Sequence, residues 1–534
     1  MKQPIDLRPD HAKIVHEIIA RYLPAGVSVR VFGSRAKWTA KPYSDLDLAL
    51  KGKEPMPRSV LGDLAEAFSE SDLPFRVDVV DWHAVTPSFQ TVIDRDGKPL
   101  RWPIVSLGDL IDIKHGFAFK GEYFSDEPTN DVLVTPGNFA IGGGFQINKL
   151  KFYDGPVPDD YVLQTGDVVV TMTDLSKQAD TLGYSAIVPS SRYRFLHNQR
   201  VGRVLLASND ADLTFIAWLL RTSSYRATVV GSATGSTVKH TSPGRILEYR
   251  FGLPTLIEQK QIASVLTALD DKIELNRQMN ETLEGMAQAI FRDWFVDFGP
   301  VRRKAAGETD AVAILGGLTP DPARAAQLAA LFPDGFGDDG LPDGWEAAQF
   351  GSEFDLTMGQ SPPGDTYNDT QDGLPFFQGR TDFGFRYPEN RKYCSAPSRI
   401  ANADDTLISV RAPVGDLNMA WEKCCIGRGV AAARHKSGSV SYTFYWLRAL
   451  QPELQLYEHT GTVFGAINRK QFEKLPVIRP DLALIAEFER IAGPMDQKIR
   501  QATLEQRSLA ETRDYLLPRL MSGTVRVARE SEAA

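Results

Sequence analysis

Apolar residues recur along this chain in two rhythms. Between residues 12 and 22, Ile14, Val15, Ile18 and Ile19 fall at helical spacing. Val27 to Phe32 is β-branched and stops at Gly33-Ser34, and residues 46–50 and 75–80 alternate as strands do. Residues 1–98 therefore read as a small α/β unit. From Trp102 to Arg250, short strand-like runs and glycine turns predict a large mixed domain. The rhythm then changes. Ile262, Val265, Leu266, Leu269, Ile273, Leu283, Met286 and Ile290 form one stripe from about residue 257 to 295, with some drift of register midway. At 1.5 Å per residue such a helix spans roughly 55–60 Å, more than one globular domain needs, so a coiled-coil-like spacer is expected. A second stripe, Phe488, Ile491, Met495, Ile499, Leu509 and Leu516, runs from about 482 to 517. Between them, residues 299–343 are rich in Gly, Pro, Ala and Asp and read as a linker with one short helix at 322–331. Leu341-Pro342-x-Gly344-Trp345 then opens a second large domain.

The two stripes belong to a repeat. Residues 234–273 lie on 460–499 without a gap, at a constant offset of 226 (234 onto 460, 270 onto 496). Thr234-Gly235 meets Thr460-Gly461, Pro254 meets Pro480, and Asp270-x-Lys272-Ile273 meets Asp496-x-Lys498-Ile499. Looser matches precede it. Leu107-Gly108, Asp112-Ile113 and Gly116 parallel Phe350-Gly351, Asp355-Leu356 and Gly359; Asp167-Val168-Val169-Val170 parallels Asp405-Thr406-Leu407-Ile408. A unit this long is a duplicated domain rather than a solenoid repeat. Two similar but unequal copies suit a molecule that grips two different things at a fixed distance.

Composition narrows the picture. A chain of 534 residues exceeds one core, so roughly three or four domains are expected. No apolar run approaches the ~20 residues of a membrane span, and Met1 to Asp10 lacks a signal-peptide pattern. Three cysteines, two of them adjacent, give neither a disulfide framework nor a zinc spacing, and a reducing cytoplasm is the expected location. The net charge of −8 argues only mildly against nucleic acid, because local basic faces decide that binding.

At the duplicated part the sequence resembles the specificity subunit of type I restriction-modification systems. The matching pieces are Glu258-Gln259-x-x-Ile262-x-x-Val265-Leu266, Leu269-Asp270-Asp271-Lys272-Ile273-Glu274-Leu275-Asn276, Met279-Asn280-x-x-Leu283-Glu284 and Phe291-x-x-Trp294-Phe295-Val296-Asp297-Phe298-Gly299-Pro300-Val301. Leu331-Phe332-Pro333, Leu341-Pro342-x-Gly344-Trp345 and Leu516-Leu517-Pro518-Arg519-Leu520-Met521-Ser522-Gly523 complete them. The second copy departs from the pattern with Ala486-Glu487 in place of the usual Glu-Gln. The resemblance implies an α+β multidomain fold: two duplicated target-recognition domains (99–254 and 341–480), two long antiparallel coiled-coil-like helices (255–298 and 481–523) that hold them apart, a linker (299–340) and a tail (524–534). It also implies a split, asymmetric double-stranded DNA target, with methyltransferase and ATP-dependent restriction subunits as partners. S-adenosylmethionine would belong to the methyltransferase subunit, since this chain has no Asn/Asp-Pro-Pro-Tyr/Phe motif; it has no Walker loop either.

Base-reading candidates are polar and basic loop residues, because Arg and Lys pair with phosphate and guanine, and Asn and Gln with adenine. These are Ser176, Lys177, Gln178, Lys239 and His240 in the first domain, and Arg380, Arg411, Asn468, Arg469 and Lys470 in the second. Each also reads as an ordinary solvated loop residue. Gly142-Gly143-Gly144 is expected to be a turn.

The first ~100 residues carry a different signature: Val31-Phe32-Gly33-Ser34-Arg35, ten residues from Arg35 to Ser44, then Asp45-Leu46-Asp47. Two aspartates two apart on a strand leave the same face and can bind Mg²⁺ and clamp a triphosphate. Gly33 lets backbone approach phosphate, Ser34 and a following helix N-terminus favour the anion, and Arg35 and Lys37 add positive charge. This resembles the minimal nucleotidyltransferases of the polymerase-beta type. The resemblance implies ATP as substrate and a third carboxylate as metal ligand or general base: Asp78, with Asp81 as the alternative. Relatives transfer AMP to a protein hydroxyl, often on a co-encoded toxin, which adds such a toxin as an expected partner and a protein adenylyltransferase as the alternative function. Trp38 and Lys41-Pro42-Tyr43 depart from the small glycine-rich loop of the family. Arg192 and His197 match a toxin nuclease motif by spacing alone, within a strand-rich domain.

Overall fold

The computed structural model describes residues 5–24, 27–147, 149–176, 178–459 and 465–527. By internal contacts the chain divides into two units, Met1–Ile273 with Ser508–Ala534, and Glu274–Arg507. The division cuts both long helices rather than following the ends of the sheets. Among the described residues no helix is long and apolar enough to cross a membrane.

The N-terminal domain runs α1 (Pro9–Tyr22), β1 (Ser28–Phe32), α2 (Gly33–Ala36), β2 (Leu46–Lys51), α3 (Arg58–Ser69), β3 (Val77–Asp81), α4 (Pro87–Asp96) and β4 (Lys98–Pro99). The sheet order is β3-β2-β1-β4, with β1 and β2 antiparallel and β2 and β3 parallel across the α3 crossover. Val29, Val31, Leu46, Leu48 and Leu50 bury one face against Val15 and Ile19 of α1 and Leu64 and Phe68 of α3. Alternation along β2 then turns Asp47 away from that core.

The rest of the first unit is a mixed lobe. Its central antiparallel sheet has the order Ser185–Ile187, Val168–Thr171, Val201–Leu206, Ile111–His115. In a second sheet, Arg194–His197 runs parallel to Asp131–Val134, which pairs antiparallel with Phe152–Tyr153, and that with Phe124–Ser125. Ile104–Ser106 pairs with Arg250–Gly252, and Thr173–Asp174 with Lys239–His240. The second unit holds a lobe with the same pairing. Its central sheet has the order Leu417–Met419, Thr406–Ser409, Val430–His435, Phe354–Met358, again all antiparallel. Cys424–Ile426 runs parallel to Leu374–Phe377, which pairs with Tyr393–Cys394, and that with Tyr367–Asn368. Glu346–Gln349 pairs with Pro476–Arg479, and Arg411 bridges Ala466.

The matches extend to side chains. Asp167 accepts a bond from the Gln164 amide at 2.8 Å and pairs with Arg203 of the neighbouring strand at 2.8 Å. Asp405 does the same with the Asn402 amide at 2.7 Å and Arg434 at 2.8 Å. A Cβ on Gly116 would overlap the Asn198 carbonyl oxygen, and one on Gly359 the Gly427 carbonyl oxygen, so both places admit only glycine.

The long helices are Leu256–Phe295 and Leu482–Met521, each 40 residues. Thr255 and Glu258 form a reciprocal cap at the first start; Asp481 accepts the Ala483 amide at the second. At the 226 offset Glu258-Gln259 meet Leu484-Ile485, so these residues, and not Ala486-Glu487, stand in place of the Glu-Gln pair. Buried Gln259 bonds the Asp210 and Pro254 carbonyls and the Asp212 amide, whereas Leu484 and Ile485 pack apolar. In the second unit Asn276 donates to Glu505 at 2.8 Å and Asn280 to Thr503 at 3.2 Å, so the helices run antiparallel there. In the first unit Arg513 donates to Asp270 at 2.5 Å. Asn276, Asn280 and Glu284 recur every four residues and are buried. This polar seam accounts for the drift in the apolar stripe.

Residues 299–340 differ from a linker. They form helices Gly299–Ala305, Ala311–Ile314 and Pro322–Ala329. Val301, Ile314, Leu328 and Phe332 are buried in the same core as Trp294 and Phe295, and Arg303 pairs with Asp293 at 2.7 Å. Glycine and proline serve here as helix punctuation rather than as a sign of openness.

Candidate functional site

In the N-terminal domain, antiparallel pairing sets Asp47 beside Phe32, where the chain turns at Gly33 with φ +74°. A Cβ on Gly33 would overlap the Asp47 carboxylate, so glycine is what allows backbone and carboxylate to meet. Asp78 is the register partner of Asp47 on β3, and Asp45 lies two residues before it. Burial, then the negative charges of Asp78 and Asp45, raise the Asp47 carboxyl above its ordinary value, while Arg35 opposes them. A divalent cation would relieve that crowding, and three carboxylates are the hard oxygen donors Mg²⁺ prefers. Among the described residues, however, no three carboxyl, imidazole or thiol groups converge closely enough to hold an ion as they stand. Asp78 instead meets Arg76 at 2.8 Å.

The alternative carboxylate is spoken for. Asp81 is buried and accepts the Met56 and His83 amides, both at 3.0 Å. Arg35 also differs from expectation. It is buried, donates to the Ser44 carbonyl at 3.0 and 2.7 Å and to the Asp6 carbonyl at 3.0 Å, and stacks on Phe75 at 3.9 Å. It braces the loop from inside rather than facing a phosphate. Lys37 pairs with Asp96 at 3.3 Å. The helix after Gly33 is a single turn, too short for the helix-terminus argument, and the Ser34 carbonyl closes it by accepting the Lys37 and Thr39 amides. Trp38 follows with φ +58°, a conformation usually left to glycine.

In the first lobe, Ser176 and Gln178 share a loop stapled around buried Asp174. Its carboxylate accepts the Ser176 amide at 2.6 Å, the Thr181 amide at 2.5 Å and the Thr181 hydroxyl at 2.6 Å. Burial alone would raise this carboxyl; the bonds from Thr181 and Ser176 outweigh it and hold it low. Ser176 Oγ accepts the Asp180 amide at 2.8 Å, and Arg226 donates to the Ala179 carbonyl at 2.8 Å. Strand pairing brings Lys239 beside Asp174 and His240 beside Thr173, so the two candidate groups of this lobe meet. Lys177 lies outside the described residues. Gly143 donates to the Ala140 carbonyl, and the glycine run is a turn.

In the second lobe, Arg411 is exposed and bridges Ala466 where Thr173 pairs with His240 in the first. Asn468 caps the helix Arg469–Glu473 by accepting the Gln471 amide at 3.1 Å, Arg469 pairs with Glu473 at 2.7 Å, and Lys470 is exposed. Arg380 pairs at 2.7 Å with Asp416, whose amide donates to Ser409 Oγ at 2.9 Å and closes the loop that carries Arg411.

Known proteins show the same two parts. The model of the type I restriction modification DNA specificity domain matches residues 99–285, and that of the polymerase beta nucleotidyltransferases matches residues 15–101. The type I restriction enzyme HindI specificity subunit of Haemophilus influenzae is 28% identical over 486 residues, covering 79% of this chain and 99% of that one. A crystal structure of a type I restriction-modification S subunit from M. genitalium shares the fold, at 16% identity and a TM-score of 0.50 over 79% of this chain and 96% of that one. The protein named Probable protein adenylyltransferase MntA, also of H. influenzae, is 44% identical over 89 residues, 17% of this chain and 77% of that one. From about residue 99 this chain is similar to type I restriction-modification specificity subunits, and its N-terminal domain is similar to the nucleotidyltransferases of the polymerase beta type.

The second lobe also holds Arg386, which no sequence motif singles out. It is completely buried, with Glu284 and Asp496 as partners. Acidic residues at buried stripe positions of both helices were the signal that a cation must come from elsewhere.

Proposed function

We propose that this subunit reads a bipartite, asymmetric duplex site, one half per lobe, and that methylation and cleavage are done by methyltransferase and restriction subunits docked on it. The observation that carries this reading is the matched strand pairing of the two lobes, each followed by a 40-residue helix beginning 226 residues apart. We take the lobes as two copies of one domain. Ser176, Gln178, Lys239 and His240 are the candidate readers in the first, and Arg411 and Lys470 in the second. The test is to express the chain with its methyltransferase subunit and sequence the methylome. A split adenine motif is the expected result; no motif with all subunits present would reject the reading.

For the N-terminal domain we propose adenylyl transfer from ATP to a hydroxyl on a partner protein, in which the hydroxyl oxygen bonds the α-phosphorus and the α–β anhydride breaks to release pyrophosphate. Asp45 and Asp47 would hold Mg²⁺, which when bound supplies charge neutralisation for the triphosphate. Asp78 would take the proton of the acceptor hydroxyl, after Arg76, which is 77% exposed, swings off it. Gly33 keeps the turn clear of Asp47, and Arg35 holds the following loop. Labelled ATP with Mg²⁺ should mark a co-encoded protein, and Asp45→Ala/Asp47→Ala should abolish the mark. Transfer without any DNA motif would favour the alternative, an adenylyltransferase localised by its lobes.

A further inference from the structure

Arg386 has no exposed surface. Its Nη1 donates to Glu284 Oε2 at 3.1 Å, its Nη2 to Asp496 Oδ1 at 2.5 Å, and its Nε meets Met419 Sδ at 3.2 Å. The ring of Phe444 lies 3.4 Å from the guanidinium carbon. Arg448 reaches the other oxygen of Glu284 at 2.8 Å, and the Tyr445 hydroxyl donates to Asp496 at 3.1 Å. Glu284 belongs to the first long helix and Asp496 to the second, while Arg386, Tyr445 and Arg448 belong to the lobe. One guanidinium therefore ties both helices to the lobe that packs on them.

Asp496 is the repeat counterpart of Asp270, and Asp270 does similar work in the first unit. Its Oδ2 accepts from Arg221 at 2.8 Å and its Oδ1 from Arg513 at 2.5 Å. The aspartates are equivalent but the arginines are not. Arg221 follows the helix Leu213–Leu219, whereas Arg386 lies in an irregular segment ahead of the strand Tyr393–Cys394. Two lobes have thus supplied the same contact from different places, which a shared ancestral sequence alone does not explain. Stability does not explain it either. A buried ion cluster is commonly matched or bettered by apolar residues, and Asp496 Oδ2 is left without a partner. What such a cluster secures is a single permitted arrangement, since any other leaves a charge buried and unpaired.

We propose that Arg386, through Glu284 and Asp496, is a positioning residue that sets the orientation of the second lobe on its helices and thereby the bases this lobe reads, and that Asp270 with Arg221 serves the first lobe likewise. This rests on the specificity-subunit reading above. The test uses the full chain with its methyltransferase subunit and reads the methylated motif for Arg386→Lys, for Arg386→Met/Glu284→Gln/Asp496→Asn, and for Asp270→Asn. Lysine keeps the charge but cannot span both carboxylates; the triple variant removes the buried charges together and leaves Arg448 on a neutral glutamine. Both Arg386 variants should lose at least tenfold discrimination at positions in one half of the motif and keep the other half, and Asp270→Asn should do the converse. The proposal is overturned if the variants methylate the wild-type motif, at whatever reduced extent, because a purely structural role lowers yield without changing sequence. A triple variant that does not fold, beside an Arg386→Lys that reads the wild-type motif, overturns it too. Absence of any split motif in the wild type would instead reject the specificity-subunit reading.

Discussion

In the first lobe the hydroxyl of Thr171 donates to the Thr181 carbonyl, ten residues on, at 2.6 Å; in the second, Ser409 donates to the Pro413 carbonyl, four residues on, at 2.8 Å. Both residues end the same strand of the central sheet. The carbonyl of each accepts a glycine amide, from Gly183 and Gly415, at 3.0 and 2.9 Å. The scaffold closes its loop with the same bonds and leaves the loop length free. Extending a closed surface loop costs little entropy, so a loop surface can change while the sheet that carries it stays fixed. The first lobe spends its longer loop on the staple around Asp174; the second turns back at once and presents Arg411.

If the framework is common, damage to it should be equally severe in both lobes. Gly116→Ala and Gly359→Ala each push a methyl group into backbone carbonyls that cannot retreat without parting two strands. Each should cost at least about 4 kcal/mol and remove the order of its own lobe, as read by lobe-resolved hydrogen exchange. A loss below about 1 kcal/mol at either position would break the parallel.

Acid should separate the lobes. His197 is buried in the first, and burial pushes its imidazole down to about 4 from the ordinary 6.5, although the bond to the Val201 carbonyl works the other way. A depressed value favours the neutral ring. Its contribution is therefore complete above pH 6.5 and is lost as pH falls through about 4, amounting to about 3 kcal/mol. His435 in the second lobe is also lowered by burial, but Glu353 opposes the shift. Exchange protection between pH 7 and 4 should therefore fall more in the first lobe, and His197→Gln should flatten that fall. Equal loss in both lobes would contradict it.

The sequence made the shared framework readable where the chain keeps its register. The 226 offset, read from residues 234–273, also relates the caps Ser242 and Asn468 and the helix ends Phe295 and Met521. The placement of Gly33 beside Asp47, and of Asp47 on the face turned from the core, was readable because glycine and two-residue alternation carry their own geometry. Two features were hidden. Asn276 and Asn280 look like a solvated helix face until a partner helix covers them. Arg386 meets partners 102 and 110 residues away, and no local pattern announces that. The sequence already prefers Asp78 to Asp81, which closes β3 and caps the turn that follows.

The stapled loop offers a smaller and more local test. Asp174→Ala removes three hydrogen bonds to a charged acceptor, in the longer of the two matched loops. It should cost about 2 kcal/mol and blur the half of the DNA motif that we propose the first lobe reads. Arg411→Ala should leave stability within about 0.5 kcal/mol and act on DNA binding alone. Measured melts and methylated motifs would expose the reverse ordering.

The mildest comparison concerns two caps. Ser242 and Asn468 stand 226 residues apart and each accepts the amide three residues on, Arg245 at 3.5 Å and Gln471 at 3.1 Å. Asn468 also receives a return bond, its own amide donating to the Gln471 side chain at 3.0 Å, whereas position 245 is an arginine and cannot accept one. Removal of an N-cap typically costs about 1 kcal/mol. Asn468→Ala should therefore cost about 1 kcal/mol and Ser242→Ala, with its longer single bond, about half as much. The return bond makes the difference, so Gln471→Ala should bring the two lobes level at this position. A Ser242→Ala effect as large as that of Asn468→Ala would mean that the reciprocal cap adds nothing, and that the lobes are tuned at these helix starts by something other than hydrogen bonding.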